Sequence, residues 1–194
     1  MTEAIELADQ AWRLRAKAIR ERVSGAQALR LRSKCVRLLE QATEIAKSGR
    51  DDYGLAYALN KLAHLCSDLE GRATAIELLR ESADAARRAR SGLLEGEALR
   101  HWADHLRHEN KLDEAEPLYW RALRSLKSDP KTSPLSLGNA YRPIAILYAA
   151  LGDAAKAISY WDEARRLYDD AGIAAGIEEC DANLSKLRSQ IDSD

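Results

Sequence analysis

Apolar and small side chains recur at intervals of three and four residues along nearly the whole of this 194-residue chain. That spacing places them on one face of an α-helix, whereas no stretch alternates with the period of two that a half-buried strand requires. Glycine and proline are concentrated between the helical segments, where they favour turns. The pattern therefore predicts an all-α fold of many consecutive helices.

The helical pattern also repeats itself along the chain. Four segments match one another when the sequence is shifted by 40 or 42 residues: LLEQATEIA (38–46), LLRESADAA (78–86), LYWRALRSL (118–126) and YWDEARRLY (160–168). Three segments that precede them align in the same way: ALNKLAHLC (58–66), ALRHWADHL (98–106) and AYRPIAILY (140–148). Each repeating unit is therefore predicted to be a pair of helices, as in proteins that stack such pairs.

The joint within one pair is marked by LGDAAKAISYWDEA. Gly152 can adopt the left-handed conformation in which many helices end, and the carboxylate of Asp153 can cap the next helix. Ala157, Trp161 and Ala164 then form a small, large, small sequence along one face. That order lets two helices approach closely while a ring fills the space beside them.

These residues make the chain resemble a tetratricopeptide repeat (TPR) protein. Three successive units match the pattern positions of that family: Tyr141, Ile144, Ala145, Tyr148, Gly152, Ala157, Trp161 and Ala164; Leu99, Trp102, Ala103, Leu106, Ala115, Tyr119 and Ala122; and Leu59, Leu62, Ala63, Cys66, Ala75 and Leu79. The long period is similar to that of kinesin light chains and of bacterial Rap-type signalling proteins. The resemblance implies a right-handed α-α superhelix, or solenoid, of TPR-like helical hairpins with a C-terminal capping helix.

The same resemblance implies one TPR-like domain over residues 1–194. Its predicted parts are an N-terminal helical hairpin (1–50, with helices at roughly 2–23 and 26–48), three repeats (54–91, 96–127 and 137–169) and the capping helix (174–191). Trp120 lies off the main buried arc of its helix, which leaves packing between repeats and an exposed contact both open.

The function that the resemblance implies is protein–protein interaction, in which first helices of successive repeats line a concave groove for a peptide or protein segment. Carried over by position, the groove would present Tyr57, Asn60, His64 and Ser67, then Glu97, Arg100, Asp104 and Arg107, then Asn139, Arg142 and Ile146. We expect asparagine to hold a peptide backbone and the arginines to hold acidic groups, because a planar guanidinium matches a carboxylate. Arg100 and Asp104 are also spaced for an ion pair within their own helix.

A histidine cluster offers an alternative of another class. His101, His105 and His108 fall within eight positions, and a pair at i and i+4 can chelate one metal. However, seven residues span about 10 Å of helix axis, and Trp102 follows His101 where an HExxH motif would need glutamate. We therefore predict no metal site, no cofactor and no catalytic residue. A metal-dependent enzyme that uses this cluster remains the alternative.

The charge of the chain limits the classes of partner that are expected. The chain carries 30 Lys and Arg against 31 Asp and Glu, so its overall charge gives no signal for nucleic acid or a membrane surface. Residues 1–50 nevertheless carry eleven basic against six acidic residues, and residues 151–194 carry five against ten. Basic residues of the first hairpin could meet phosphates, but they lack interleaved aromatic residues, so no nucleic-acid partner is predicted.

The expected compartment is the cytoplasm. No run of about 18 apolar residues is present, and the acidic, patterned start does not resemble a signal peptide. Cys35, Cys66 and Cys180 are widely spaced without a CxxC motif, which favours buried thiols in a reducing environment. The partner is an unidentified protein or peptide. A self-associating structural module is a second alternative, which leaves homo-oligomerisation open.

Overall fold

The computed structural model describes residues 2–66 and 71–191. Within these ranges it contains nine α-helices and no strand. The helices are α1 (Glu3–Arg20), α2 (Gly25–Ser48), α3 (Asp52–Cys66), α4 (Arg72–Arg88), α5 (Gly92–His108), α6 (Leu112–Ser128), α7 (Pro134–Ala150), α8 (Ala154–Asp170) and α9 (Ala174–Ile191). The predicted all-α class is therefore confirmed. Ser67 of the predicted groove lies outside the described residues.

The chain divides into two compact units, and the boundary between them lies between Ala98 and Leu99, inside α5. In the first unit, α1 packs against α2 and α3, and α3 also packs against α2 and α4. In the second unit, α7 packs against α6 and α8, and α9 packs against α8. Helices therefore contact mainly their neighbours in sequence, which is typical of repeat proteins. The single-domain organisation stays a prediction.

Six connections between described helices are tight turns of one type. The middle residue of each has a positive φ: Arg22 (50°), Arg50 (53°), Arg90 (55°), Asn110 (60°), Gly152 (78°) and Gly172 (69°). The next amide then donates to a carbonyl five residues earlier, as Asp153 N does to Tyr148 O at 2.9 Å. This is the Schellman helix ending. Asp153 Oδ1 accepts a hydrogen bond from Lys156 N at 3.0 Å, which confirms the predicted ending and cap at this joint.

The second helices of the repeats bury the predicted small, large, small faces. Ala157 and Ala164 of α8 are fully buried on either side of Trp161, which is 1% exposed. Trp120 of α6 is half-buried, and its ring centroid lies 5.5 Å from that of Tyr160 and 6.5 Å from that of Tyr148. The ring contacts therefore favour packing between helices for Trp120.

Helix boundaries differ from the sequence prediction by a few residues. The first helix of the hairpin is shorter than predicted, because α1 ends at Arg20. Arg22, which follows it, has a left-handed backbone conformation. First helices of the repeats begin earlier than predicted, at Asp52, Gly92 and Pro134. For α7 the reason is visible, since Ser133 Oγ accepts a hydrogen bond from Ser136 N at 3.1 Å and proline occupies the first turn.

Candidate functional site

In the first unit, the predicted groove residues of α3 meet side chains of α1. Tyr57 Oη donates a hydrogen bond to Asp9 Oδ1 at 2.6 Å. The His64 ring centroid lies 5.9 Å from that of Trp12. We call the set of α3 residues and their α1 neighbours the α3 patch; it consists of Tyr57, Asn60, Lys61, His64, Asp9 and Trp12.

Lys61 lies between two aromatic rings of this patch. Its Nζ is 4.5 Å from the Trp12 ring centroid and 4.3 Å from that of Tyr57, so it makes two cation–π contacts. Burial lowers the pKa of Lys61, while the carboxylates of Asp9 and Glu97 act in the opposite direction. Sequence analysis missed this lysine. Its spacing of four residues from Tyr57 was the available signal, but the pairing with Trp12 depends on how α1 packs.

Asn60 is the unusual member of the α3 patch. It is 7% exposed, and its Nδ2 has no hydrogen-bond partner among the residues that the structure describes. Most buried polar groups are hydrogen-bonded, and leaving a donor unpaired costs about 1 to 3 kcal/mol. The fold therefore bears a cost at Asn60 that an acceptor on a ligand would relieve.

In the second unit, Asp104 of α5 is the centre of a hydrogen-bond network. Arg100 Nη1 donates to Asp104 Oδ2 at 3.4 Å, which confirms the predicted ion pair within the helix. Tyr119 Oη of α6 donates to Asp104 Oδ1 at 2.7 Å and accepts a hydrogen bond from Arg107 Nε at 3.1 Å. Burial, followed by the charge of Asp104, raises the pKa of Tyr119. The network holds the guanidinium groups of Arg100 and Arg107 on one face of α5.

The predicted residues of α7 are bound by the helices that follow. Arg142 donates from Nε and Nη2 to both carboxylate oxygens of Glu179 on α9, at 2.6 to 2.8 Å. These hydrogen bonds raise the pKa of Arg142. Tyr168 Oη of α8 donates to Asn139 Oδ1 at 2.9 Å. Sequence analysis missed Glu179, because the repeat alignment did not assign a register to α9.

We call the predicted residues of the second unit the arginine patch; it consists of Arg100, Asp104, Arg107, Asn139 and Arg142. Its guanidinium groups suit carboxylates in shape and charge. Each already has an acidic partner: Asp104 pairs with Arg100 and Arg107, and Glu179 pairs with Arg142. A ligand carboxylate would therefore compete with carboxylates of the chain itself.

The histidine cluster lies beside the arginine patch without converging. His101 Nε2 is 2.8 Å from Arg100 Nη2, and its Nδ1 is 4.0 Å from Asp104 Oδ2. His108 is exposed, with Nε2 3.4 Å from Arg107 Nη2. Across residues 2–66 and 71–191, no group of three or more His, Cys, Asp or Glu residues is arranged to hold a metal ion. The geometry therefore gives no support to the metal-dependent alternative.

No protein-family model matches the chain, and no curated protein matches its sequence. Solved structures do match its fold. Aspartyl phosphate phosphatase F from Bacillus subtilis is 19% identical, with a TM-score of 0.74 over 93% of this chain and 45% of that chain. A putative kinesin light chain with nearly identical TPR-like repeats, from Podosopora anserina, is 15% identical, with a TM-score of 0.62 and complete coverage of both chains.

The chain has a TPR-like helical-repeat fold. BtubC from P. vanneervenii, 16% identical, agrees with a TM-score of 0.60 over 99% of this chain and 93% of that one. The TPR-like chain spans less than half of the phosphatase structure that it matches. Identities this low show the fold alone, and function must be argued from the residues of the site. No helix in the described part of this TPR-like chain is long and apolar enough to cross a membrane.

Proposed function

We propose that this chain is a non-catalytic protein–protein interaction module that binds a peptide or protein segment through its first helices. The observation that carries the proposal is the buried, unpaired amide nitrogen of Asn60. Buried polar groups are nearly all hydrogen-bonded, so an unsatisfied buried donor calls for an explanation. A backbone carbonyl of a bound segment is an acceptor of the right kind for this donor once the Asn60 side chain rotates outward, because Nδ2 is inaccessible in the unbound chain.

Other residues of the α3 patch suit the same ligand. The rings of Tyr57 and Trp12 offer apolar surface, and Lys61 between them offers a cation whose pKa burial has lowered. An acidic side chain of the ligand would favour the charged form of Lys61. The α3 patch is therefore suited to an extended segment that carries at least one acidic residue.

The arginine patch supports an acidic ligand by a second route. A carboxylate that binds Arg142 must displace Glu179, which holds the guanidinium with three hydrogen bonds. Arg142→Ala therefore removes two interactions at once, the ion pair with Glu179 and any contact with a ligand carboxylate. Glu179→Gln separates them, because it leaves Arg142 in place while weakening its internal partner, and it should strengthen binding of an acidic segment.

We infer a cytoplasmic location for this module. Cys35, Cys66 and Cys180 are all buried, and none forms a disulfide bond within the described residues. Burial also raises the pKa of the Cys35 and Cys180 thiols, which suppresses the reactive thiolate. Buried cysteines that form no disulfide bond suit a reducing compartment.

The test replaces Asn60 by leucine. Wild type and Asn60→Leu are used side by side to capture partners from the source cell, and the affinity for each captured partner is then measured. We expect binding to weaken by about 1 to 3 kcal/mol, the cost of losing a buried hydrogen bond. The free energy of unfolding should stay unchanged or rise, because the variant removes an unsatisfied donor.

Thr43→Val is the matched control. Thr43 is also buried, but its Oγ1 donates to Leu39 O at 2.8 Å, so its hydroxyl is satisfied. This control should lower stability slightly and leave partner binding unchanged. If Asn60→Leu instead retains every partner at full affinity, the α3 patch is not the binding surface.

A further inference from the structure

The α1–α2 hairpin carries a concentrated positive charge near its tip. Between residues 13 and 37 the chain has nine basic residues and one acidic residue, Glu21. We call the basic set the tip patch; it consists of Arg13, Arg15, Lys17, Arg20, Arg22, Arg30, Arg32, Lys34 and Arg37. Lys17 and Glu21 form a long ion pair at 3.8 Å with both side chains more than half exposed, which contributes little neutralisation.

A cavity opens within this basic surface. Its volume is about 360 Å³, and its walls include the apolar side chains of Ala18, Ile19, Val23 and Leu31. Arg15 and Arg22 also line it, so the apolar floor has a cationic edge. The Arg15 guanidinium lies 4.7 Å from the Trp12 ring centroid, and this contact with a neutral group leaves its charge in place.

Two large apolar side chains stand exposed beside the same basic residues. Ile19 is 61% exposed and Leu29 is 62% exposed. Single exposed apolar residues are ordinary on protein surfaces. Here, however, Ile19 lines a cavity edged by Arg15 and Arg22, in a hairpin segment that carries eight net positive charges between residues 13 and 37, and this combination is typical of a surface that meets a partner.

We propose that the tip patch docks an acidic segment of a partner protein, with one apolar side chain inserted in the cavity and flanking carboxylates on the arginines. The charge of the patch selects an anionic partner. The cavity adds a requirement for an apolar anchor, which would cover Ile19 and exclude water around the ion pairs. This docking surface lies on different residues from the α3 patch and does not depend on the function proposed above.

Three other anionic occupants fit less well. Nucleic-acid phosphates would use the arginines but leave the apolar cavity and Leu29 uncovered. A membrane surface favours protruding apolar groups with aromatic anchors, whereas the cavity is concave and the neighbouring Trp12 ring already contacts Arg15 and Lys61 within the chain. A second copy would offer the acidic side chains of α8 and α9. Several of these are already paired within the chain, as Asp181 is with Arg165 and Asp162 with Arg188.

The experiment measures binding of a labelled synthetic peptide to the full chain by fluorescence anisotropy. The peptide has a central pair of leucines flanked by glutamates, and a matched peptide has alanines in place of the leucines. We expect the leucine peptide to bind, and the alanine peptide to bind at least about tenfold more weakly, a loss of about 1.4 kcal/mol. A DNA duplex and vesicles containing phosphatidylserine serve as competing anionic probes.

Variants of the chain assign the binding to the tip patch. Arg22→Glu should weaken the leucine peptide about tenfold and reduce the salt dependence of its binding, and Ile19→Ala should weaken it without changing that dependence. Arg124→Glu is the matched control, because Arg124 is an exposed arginine of α6 outside the hairpin. It should bind the peptide as wild type does. Unchanged helical content in each variant establishes that folding is intact.

Several results would overturn the proposal. These are absence of peptide binding, equal binding of the alanine peptide, tighter binding of DNA or vesicles than of the leucine peptide, and no effect of Arg22→Glu. Self-association of the chain that Arg22→Glu abolishes, seen by sedimentation across concentration, would identify a second copy as the occupant instead.

Discussion

At the scale of single residues, two glycines of the second unit make room for a tyrosine. A Cβ added to Gly176 would lie 2.6 Å from the Tyr168 ring, and one added to Gly138 would lie 3.1 Å from it. The ring therefore packs directly against the backbones of α7 and α9, while its hydroxyl binds Asn139. Here glycine provides space. Gly152 differs, because nothing lies within 4 Å of an added Cβ and its φ is +78°.

A substitution at Gly152 therefore measures the conformational cost of the left-handed backbone alone, because an added Cβ would meet no other atom. We expect Gly152→Ala to lower the free energy of unfolding by about 1 to 2 kcal/mol, since a Cβ strains the left-handed conformation. Urea unfolding monitored by circular dichroism measures the change. Leu151→Ala is the control, because Leu151 is exposed and has right-handed helical angles. Equal stability of Gly152→Ala and wild type would show that this turn tolerates a side chain.

At the scale of helices, the sequence pattern predicted much of the architecture for a clear physical reason. Pairs of helices, the joint at Gly152 and the buried faces around Ala157 and Trp161 all follow from local spacing, and the structure confirms them. Other features depend on packing between elements. The end of α1 and the burial of Asn60 could not be obtained from local spacing, because each depends on a neighbouring helix or turn.

The candidate site shows the same limit. Repeat alignment placed Arg100 and Arg142 on first helices, but it could not identify the carboxylates that neutralise Arg142 or the rings that surround Lys61. Glu179 and Trp12 come from helices without a matching repeat pattern, so no register could be assigned to them. The assignment of either patch to ligand binding stays a prediction.

The joint of α7 and α8 allows a test of packing between elements. Ala157 is fully buried on α8, so Ala157→Leu should overpack the interface and destabilise the protein by about 1 to 3 kcal/mol. Ala155→Leu is the matched control, because Ala155 lies two residues earlier on the same helix and its side chain is exposed. Thermal unfolding of both variants measures the difference. Two equally stable variants would contradict the close approach of helices at Ala157.

At the scale of the whole molecule, both units bury acidic groups in their neutral forms. Burial raises the pKa of Tyr57 and Cys35 in the first unit, and of Tyr119, Tyr168 and Cys180 in the second. Each of these groups keeps its proton in the folded chain at a pH where the unfolded chain loses it. Their combined effect is that the folded state binds more protons than the unfolded state under alkaline conditions, so stability must fall there as pH rises.

Cys180 provides the clearest measurement of this effect. Burial, and then the charges of Glu179 and Asp181, raises the pKa of its thiol from 9.0 to about 11. The stability that it contributes is fully present below pH 9 and is lost as the pH rises through 11. At about 1.4 kcal/mol for each pH unit, the loss amounts to at most about 3 kcal/mol. Burial of Tyr168, whose pKa is raised from 10.0 to about 12, extends the decline to higher pH.

We therefore expect the free energy of unfolding to decrease between pH 9 and pH 11, and Cys180→Val to make that decrease shallower because valine has no proton to lose. Urea unfolding at a series of pH values gives both slopes. Leu184→Ala, one turn further along α9 and also buried, is the control: it should lower stability by a similar amount at every pH and leave the slope unchanged. A slope in Cys180→Val as steep as that of wild type would mean that the Cys180 thiol does not couple folding to pH, and that Cys35 and the tyrosines carry the alkaline transition.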